Sequence, residues 1–168
     1  MVHKLRILGV DPGSRMTGVG IIEVVGDRIL PVHFGAIKAG SGEFTERLGL
    51  IFSGLRDIIM EYRPNQAAIE SVFVAHNAAS AIKLGQARGA AVCAAISCNI
   101  PVADYSPRSV KQAIVGKGNA DKTQVQHMVG ILLGIKEPIQ NDAADALAVA
   151  LCHQHTSHTL SRMSMMRG

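Results

Sequence analysis

The chain has no tryptophan, and only four phenylalanines and two tyrosines among 168 residues. Such a sequence holds little material for a broad base-stacking platform. Contact with nucleic acid would rest on cations and shape, with one or two aromatics at chosen places. Cysteine is scarce as well. Cys93, Cys98 and Cys152 are odd in number and lack the paired spacing of a zinc site. They read as reduced, mostly buried thiols of a cytosolic protein. No apolar run approaches the roughly 20 residues needed to cross a bilayer, so no membrane association is expected. The opening MVHKLRILGVD has too short an apolar stretch for a secretory signal and reads as a first strand.

What is present suits one packed domain. Hydrophobic residues make up 48% of the chain, and the formal charge of +4 is mildly basic, compatible with a polyanionic partner. KLRILGVD (4 to 11) is apolar and stops at Pro12-Gly13, a turn signal. TGVGIIEVV (17 to 25) and RILPVHFGAIKA (28 to 39) follow around a tight Gly26-Asp27 connection, which predicts an antiparallel meander. Pro31 marks the third strand as an edge or a bulge. Residues 44 to 63 carry Leu48, Ile51, Phe52, Leu55, Ile58, Ile59 and Tyr62 at helical spacing, ended by Arg63-Pro64. A buried strand at 66–71, an Ala-rich helix at 78–98 and a strand at 101–106 come next. Helices at 107–115, 121–133 and 142–153 complete the core, and a flexible polar tail is expected over 156–168. The pattern is a mixed α/β sheet of five strands, three antiparallel and then two parallel, with helices on both faces.

NDAADALAVA (141 to 150) sets Asp142 and Asp145 three residues apart in an otherwise apolar helix. At about 100° per residue the two side chains lie only about 60° apart. Either they complement the positive end of the helix dipole or they face a cation. Asp11 ends the first strand beside a turn, and Glu70 ends the fourth. Each has an ordinary structural explanation alone: a turn carboxylate, or a solvated strand end. Together they suggest more. If the first and fourth strands are parallel neighbours, both carboxylates emerge at one sheet edge, and a closely packed final helix brings the other two there. Alanines at 143, 144 and 146 permit that approach. Like charges about 4 Å apart repel by about 4 kcal/mol at an effective dielectric near 20, so the cluster must protonate or hold cations. All-oxygen ligation favours Mg²⁺ or Mn²⁺. Two such ions would support phosphodiester hydrolysis without a protein nucleophile.

ILGVDPGSRMTGVG, AIESVFVAHNAASAIKLGQARG, SPRSVKQAIVGKGNADKTQVQHMV and NDAADALAVALCH, in unbroken order from about residue 5 to 155, resemble the RuvC family of bacterial Holliday-junction resolvases. The resemblance implies a ribonuclease-H-like fold over 1–155 and a homodimer. It implies Mg²⁺-dependent, paired cuts across a four-way DNA junction, in recombination and repair. It places catalytic, metal-holding carboxylates at Asp11, Glu70, Asp142 and Asp145, activity-linked lysines at Lys111 and Lys122, and a base-stacking aromatic at Phe73. It also implies a junction-binding protein and a hexameric branch-migration motor as partners.

Arg108, Lys111, Lys117 and Lys122 gather around a Gly-containing break and are candidate phosphate contacts, against the alternative of a solvated face. GKGNADKT (116 to 123) is a near miss for a phosphate-binding P-loop. Asp121 stands where the second glycine is needed, and with Gln124 it reads instead as a helix N-cap pair. GVDPGSRMTGVG also resembles the first phosphate motif of actin-like ATPases, but those clasp ATP between two lobes and this chain supplies one. His153, His155 and His158 read as a polar helix end rather than a metal site. The helix at 78–98 is a candidate for part of a dimer interface, or else a core helix. Two rivals keep parts of the pattern. A ribonuclease acting on RNA would need the same acids, and a non-catalytic junction binder would need only the cations.

Overall fold

The computed structural model describes residues 4–72 and 77–165, with side chains described through residue 160. Strands β1 (Lys4–Asp11), β2 (Met16–Val25) and β3 (Arg28–Lys38) form the antiparallel meander, followed by α1 (Phe44–Tyr62), β4 (Gln66–Glu70), α2 (Ala78–Ser97) and β5 (Val102–Tyr105). Helices α3 (Pro107–Val115), α4 (Lys122–Leu133) and α5 (Asn141–Met165) complete the chain. The five strands run in the order β3-β2-β1-β4-β5, with β4 parallel to both β1 and β5. β3 is an edge strand, and its pairing shifts between Ile21↔His33 and Ile22↔Pro31, so Pro31 sits at both an edge and an irregularity.

Alternation along the strands sorts the core into two layers. Leu8, Val10, Val19, Ile21, Ala67 and Ile69 face the helices α1 and α2. Ile7, Ile22 and Ala68 face α3, α4 and α5. On α1 the residues Ile51, Leu55 and Ile59 are buried, while Phe52, Ile58 and Tyr62 pack partly exposed. Each helix boundary has a local cause. The Asn77 side chain accepts from the amides of Ala79 and Ser80 to start α2. Ser106 caps α3, whose Gly116 closes it in the left-handed region. Asp121 and Gln124 form a reciprocal capping box on α4, at 2.9 and 3.2 Å.

Helix α5 lies unusually close to the sheet. On the face it covers, β1 and β2 present Gly9, Gly18 and Gly20. A Cβ at Gly18 would overlap the Asp142 carbonyl, one at Gly9 the Ala146 carbonyl, and one at Gly20 the Leu147 side chain and amide nitrogen. From the helix side Ala143, Ala146 and Ala150 are buried. Small residues on both partners thus set the depth at which the last helix sits.

Two expectations need correction. α5 does not end near 153 but continues to Met165, so residues 156–165 are helical where a polar tail was expected. The Thr156 and Thr159 hydroxyls donate to the carbonyls of Cys152 and His155, so polar side chains are accommodated within the helix. Of the cysteines only Cys152 is buried; Cys93 is exposed and Cys98 half-buried, and all three are free thiols.

The close seating of α5 gives a direct test. Gly18→Ala forces the first turn of α5 off the sheet and is expected to destabilise the fold by about 1 to 3 kcal/mol. Gly49→Ala is the control: it lies in exposed α1 with open space around it, and helix propensity there should stabilise by about 0.5 to 1 kcal/mol. Urea denaturation midpoints distinguish the two.

Candidate active site

Strand parity decides which face each acid occupies. β1 pairs in register with β4 as far as Val10↔Ile69, so Asp11 and Glu70 are the next residues on adjacent parallel strands. Asp11 follows Ile7 and Gly9 on the α5 face, and Glu70 follows Gln66 and Ala68. Both carboxylates therefore leave the sheet at its carboxyl edge, beneath the start of α5. The two carboxyl groups lie close enough for each to perturb the ionisation of the other. Asp142 and Asp145, both half-buried, lie in the first turns of α5, whose backbone Gly18 admits at Asp142.

The electrostatics follow from crowding. Burial is the largest cause raising the Asp11 pKa well above the carboxylate range, and the charges of Glu70 and Asp145 push it further in the same direction. Burial likewise raises Glu70. The opposing influences are the neighbouring Asp11, which acts on Glu70, and the nearby cations. Lys122 lowers both groups, and Lys111 also lowers Glu70. Lys122 Nζ stands 2.7 Å from Asp145 Oδ2. That hydrogen bond is the main reason the lysine pKa is raised, with smaller contributions from the charges of Asp11 and Asp142. All four acids thus belong to one electrostatic cluster.

A cavity of about 160 Å³ opens beside them, lined by Glu70, Asp145, Lys111 and Lys122 over an apolar floor that includes Val110 and Ala148. A second recess, bounded by Ser106, Arg108, Lys111 and Gly118, adjoins it. Lys111 borders both. The Arg108 stem lies across Gly118, where a Cβ would strike its Cγ. Lys117 is exposed on the neighbouring loop and lines neither space. Phe73, expected to stack on bases, lies outside the described residues.

As the side chains stand, among the described residues no three acidic, histidine or cysteine side chains converge on one point closely enough to ligate a single ion. Asp145 is turned to Lys122, and Asp11 lies beside Glu70. The donor set nonetheless consists only of carboxylate oxygens, crowded beyond what the nearby lysines offset. That chemistry fits a hard divalent cation.

Some functional geometry was absent from the sequence reading. The three histidines were expected at a polar helix end, yet His153 is half-buried and bonded on both ring nitrogens, to Tyr105 and to Gln66. His155 reaches the Ala113 carbonyl at 3.3 Å, and His158 is exposed. The glycines at 9, 18 and 20 were also passed over. Their shared parity on adjacent strands is the signal that could have revealed a closely seated helix.

Comparison with known proteins agrees with this geometry. The family model described as crossover junction endodeoxyribonuclease RuvC matches residues 7–153. The crossover junction endodeoxyribonuclease RuvC of Methylococcus capsulatus is 55% identical over 161 residues, covering 96% of this chain and 97% of that protein. Among solved structures, Thermus thermophilus RuvC in complex with Holliday junction substrate superposes with a TM-score of 0.86 at 35% identity, covering 92% of this chain and 96% of that one. The yeast mitochondrial Holliday junction resolvase shares the fold, with a TM-score of 0.68 at 11% identity and coverage of 94% and 82%. With its sheet order, its clustered acids and a match across most of its length, the chain belongs to the RuvC family of crossover junction endodeoxyribonucleases.

Proposed function

We propose that this chain binds four-way DNA junctions as a homodimer and cuts them in paired positions, using divalent ions held by Asp11, Glu70, Asp142 and Asp145. One observation carries the reading: carboxylates from β1 and β4 emerge side by side at the carboxyl edge of the sheet, under the helix turns that bear the other two. An arrangement so costly in charge is expected where cations are to be bound. Mg²⁺ is the ion this set suits best, with Mn²⁺ able to substitute. Bound there, a pair of such ions would activate water and stabilise the leaving oxygen of the phosphodiester.

The chain's own residues have separable tasks. Asp11 and Glu70, fixed by strand pairing, hold their carboxylates on the rigid sheet. Asp142 and Asp145 close the site from α5, where one could orient or deprotonate the attacking water. Lys122, released from Asp145 when a divalent ion takes that carboxylate, lies close enough to offset charge developing on the phosphate. Arg108 and Lys111 line the adjoining recess and would hold flanking phosphates, with Lys117 a peripheral contact. Phe73 is proposed to stack on a base at the crossover.

A two-fold dimer would present two such sites to a nearly two-fold junction. Helix α2 buries Ala87, Ala91, Ala94 and Ala95 against its own domain while Ile82 and Ile96 remain exposed, which makes its outer face a candidate for part of the interface. A junction-binding protein and a hexameric branch-migration motor are the proposed partners. Among the described residues no helix is long and apolar enough to cross a membrane, and we place the protein in the cytoplasm.

Three outcomes are expected. Asp11→Asn should abolish Mg²⁺-dependent cutting of a synthetic four-way junction while retaining binding, and should raise the metal-free melting temperature at neutral pH by removing a carboxyl group that must take up a proton on folding. Undiminished cutting would remove Asp11 from the site. Linear duplex and RNA/DNA hybrid are the comparison substrates, and efficient cutting of the hybrid would favour a ribonuclease instead. Arg108→Ala and Lys111→Ala should each flatten the log–log salt dependence of junction binding by about 0.9, the effect of one phosphate contact. Sedimentation equilibrium should find a dimer at micromolar concentration; a monomer there would remove the paired-cut arrangement.

A further inference from the structure

The contact between the amino-terminal turns of α5 and the sheet is made largely by small residues. Near the acids it sets alanines and Leu147 against Gly9, Gly18 and Gly20, and larger side chains (Ile7, Ile22 and Leu151) enter the same core further along. Interfaces of small side chains allow close approach but offer few knobs to resist sliding along the helix axis. At the amino end of α5 the acids repel, which tends to loosen the same contact. A directional contact beyond this stretch would fix the register that small residues leave free to slide.

The directional element lies two helical turns further on. Tyr105 Oη and His153 Nδ1 are 2.8 Å apart, and His153 Nε2 is 2.8 Å from Gln66 Oε1. The ring also packs edge-on against Tyr105, at 5.7 Å between centroids. Burial lowers the His153 pKa, which favours the neutral ring. A neutral imidazole has one donor and one acceptor, and both are used: Nε2–H donates to the Gln66 carbonyl oxygen, and the Tyr105 hydroxyl donates to Nδ1.

The spacing of these anchors matches the spacing of the acids. Gln66 precedes Glu70 by four residues on β4, about 13 Å along a strand. His153 follows Asp145 by eight on α5, about 12 Å along a helix. Helix and strand therefore meet at two points a common distance apart, Glu70 with Asp145 at one end and Gln66 with His153 at the other. Tyr105 ties in the remaining parts. Its Cα pairs with that of Glu70, its carbonyl accepts from the Ser71 amide at 2.8 Å, and the next residue, Ser106, caps the helix that carries Lys111.

We propose that His153 is a positioning residue: held between Tyr105 and Gln66, it fixes the axial register of α5 on β4 and thereby the separation of Asp142 and Asp145 from Asp11 and Glu70. This rests on the reading of those acids as divalent-ion ligands. His153 touches none of them and takes no part in chemistry.

The test uses the full-length protein and Mg²⁺ as the probe. His153→Leu removes both bonds while leaving an apolar side chain in place. Tyr105→Phe removes one hydroxyl and keeps the ring. His153→Gln retains a donor and an acceptor. Mg²⁺ affinity is read without DNA, from the rise of melting temperature with ion concentration. Junction affinity is read without divalent ions, and kcat and KM are read at saturating Mg²⁺. His153→Leu is expected to weaken the Mg²⁺ affinity about tenfold and to lower kcat, with KM and metal-free junction affinity unchanged. Tyr105→Phe should shift both quantities in the same direction by less, and His153→Gln should recover most of the loss. If His153→Leu lowers only the metal-free melting temperature, leaving Mg²⁺ affinity and kcat at the wild-type level, the positioning role is lost and His153 is merely structural. Should His153→Leu fail to fold, Tyr105→Phe decides by the same criteria. Wild type and Asp11→Asn responding identically to Mg²⁺ would instead overturn the reading of the acidic site itself.

Discussion

Backbone-to-backbone proximity between α5 and the sheet is the constraint from which the site follows. A helix normally stands off a sheet by the length of its side chains, about 10 Å between axis and sheet plane being typical of packed layers. Here Gly9, Gly18 and Gly20 leave no room for a single added carbon. That depth allows short aspartate side chains on α5 to reach acids that leave β1 and β4. With ordinary aliphatic residues at those strand positions, Asp142 and Asp145 would ride too high to join Asp11 and Glu70. Bulk is instead placed on the opposite face, where Leu8, Val10, Val19, Ile21 and Ile69 build the core against α1 and α2. The sheet is thus lopsided near the acids, thick on one side and flat on the other, while Ile7 and Ile22 restore bulk to the α5 face further from them.

Closeness has an electrostatic consequence. Carboxylates brought together under an apolar helix cannot all be ionised without compensation, and the metal-free state answers in two ways. Burial and the neighbouring acids raise the Asp11 pKa to about 8, and Asp145 pairs with Lys122. Neither arrangement is a strong source of stability. The lysine is 59% exposed, and an ion pair in such surroundings contributes little. Both are interactions a divalent cation can displace without dismantling the fold, since the backbone that carries the acids is held by strand pairing and glycine contacts, not by the acids. Rigidity of the scaffold and lability of the side-chain pairing are what the proposed cation site would require.

Much of this was legible in the residue pattern, for identifiable reasons. Turn dipeptides and helical spacing gave every element, because Pro12-Gly13, Gly26-Asp27 and Arg63-Pro64 interrupt otherwise clear periodicities. The meeting of Asp11 and Glu70 was legible once β1 and β4 were taken as parallel neighbours, since both acids close their strands. The full length of α5 was not. Serine, threonine and histidine dominate residues 153–159, and their composition suggested a tail, whereas two threonine hydroxyls bond back within the helix. Nor was the Lys122–Asp145 pair legible, because it depends on how the chain turns between Gly116 and Asp121, and spacing alone does not encode that direction. The role of His153 was hidden for a similar reason: its partners come from β4 and β5, distant in sequence and brought close only by the sheet order.

Lys122 shows how local preference and site geometry oppose one another. It occupies the first position of α4, where the unpaired amides and the helix dipole disfavour a cation. Helix formation alone would place an acid there. The capping box immediately before it, with the Asp121 carboxylate accepting from the Gln124 amide, satisfies the exposed amides and offsets part of that penalty. Asp145 offsets more of it from across the cavity. A residue that local propensity would not choose, supported by a cap on one side and an opposite charge on the other, is the pattern expected where a side chain is retained for what it does to a ligand. Lys111, on the neighbouring helix, faces no such conflict. It borders both the acidic cavity and the basic recess from α3, so the two lysines reach the acidic cavity by different structural means.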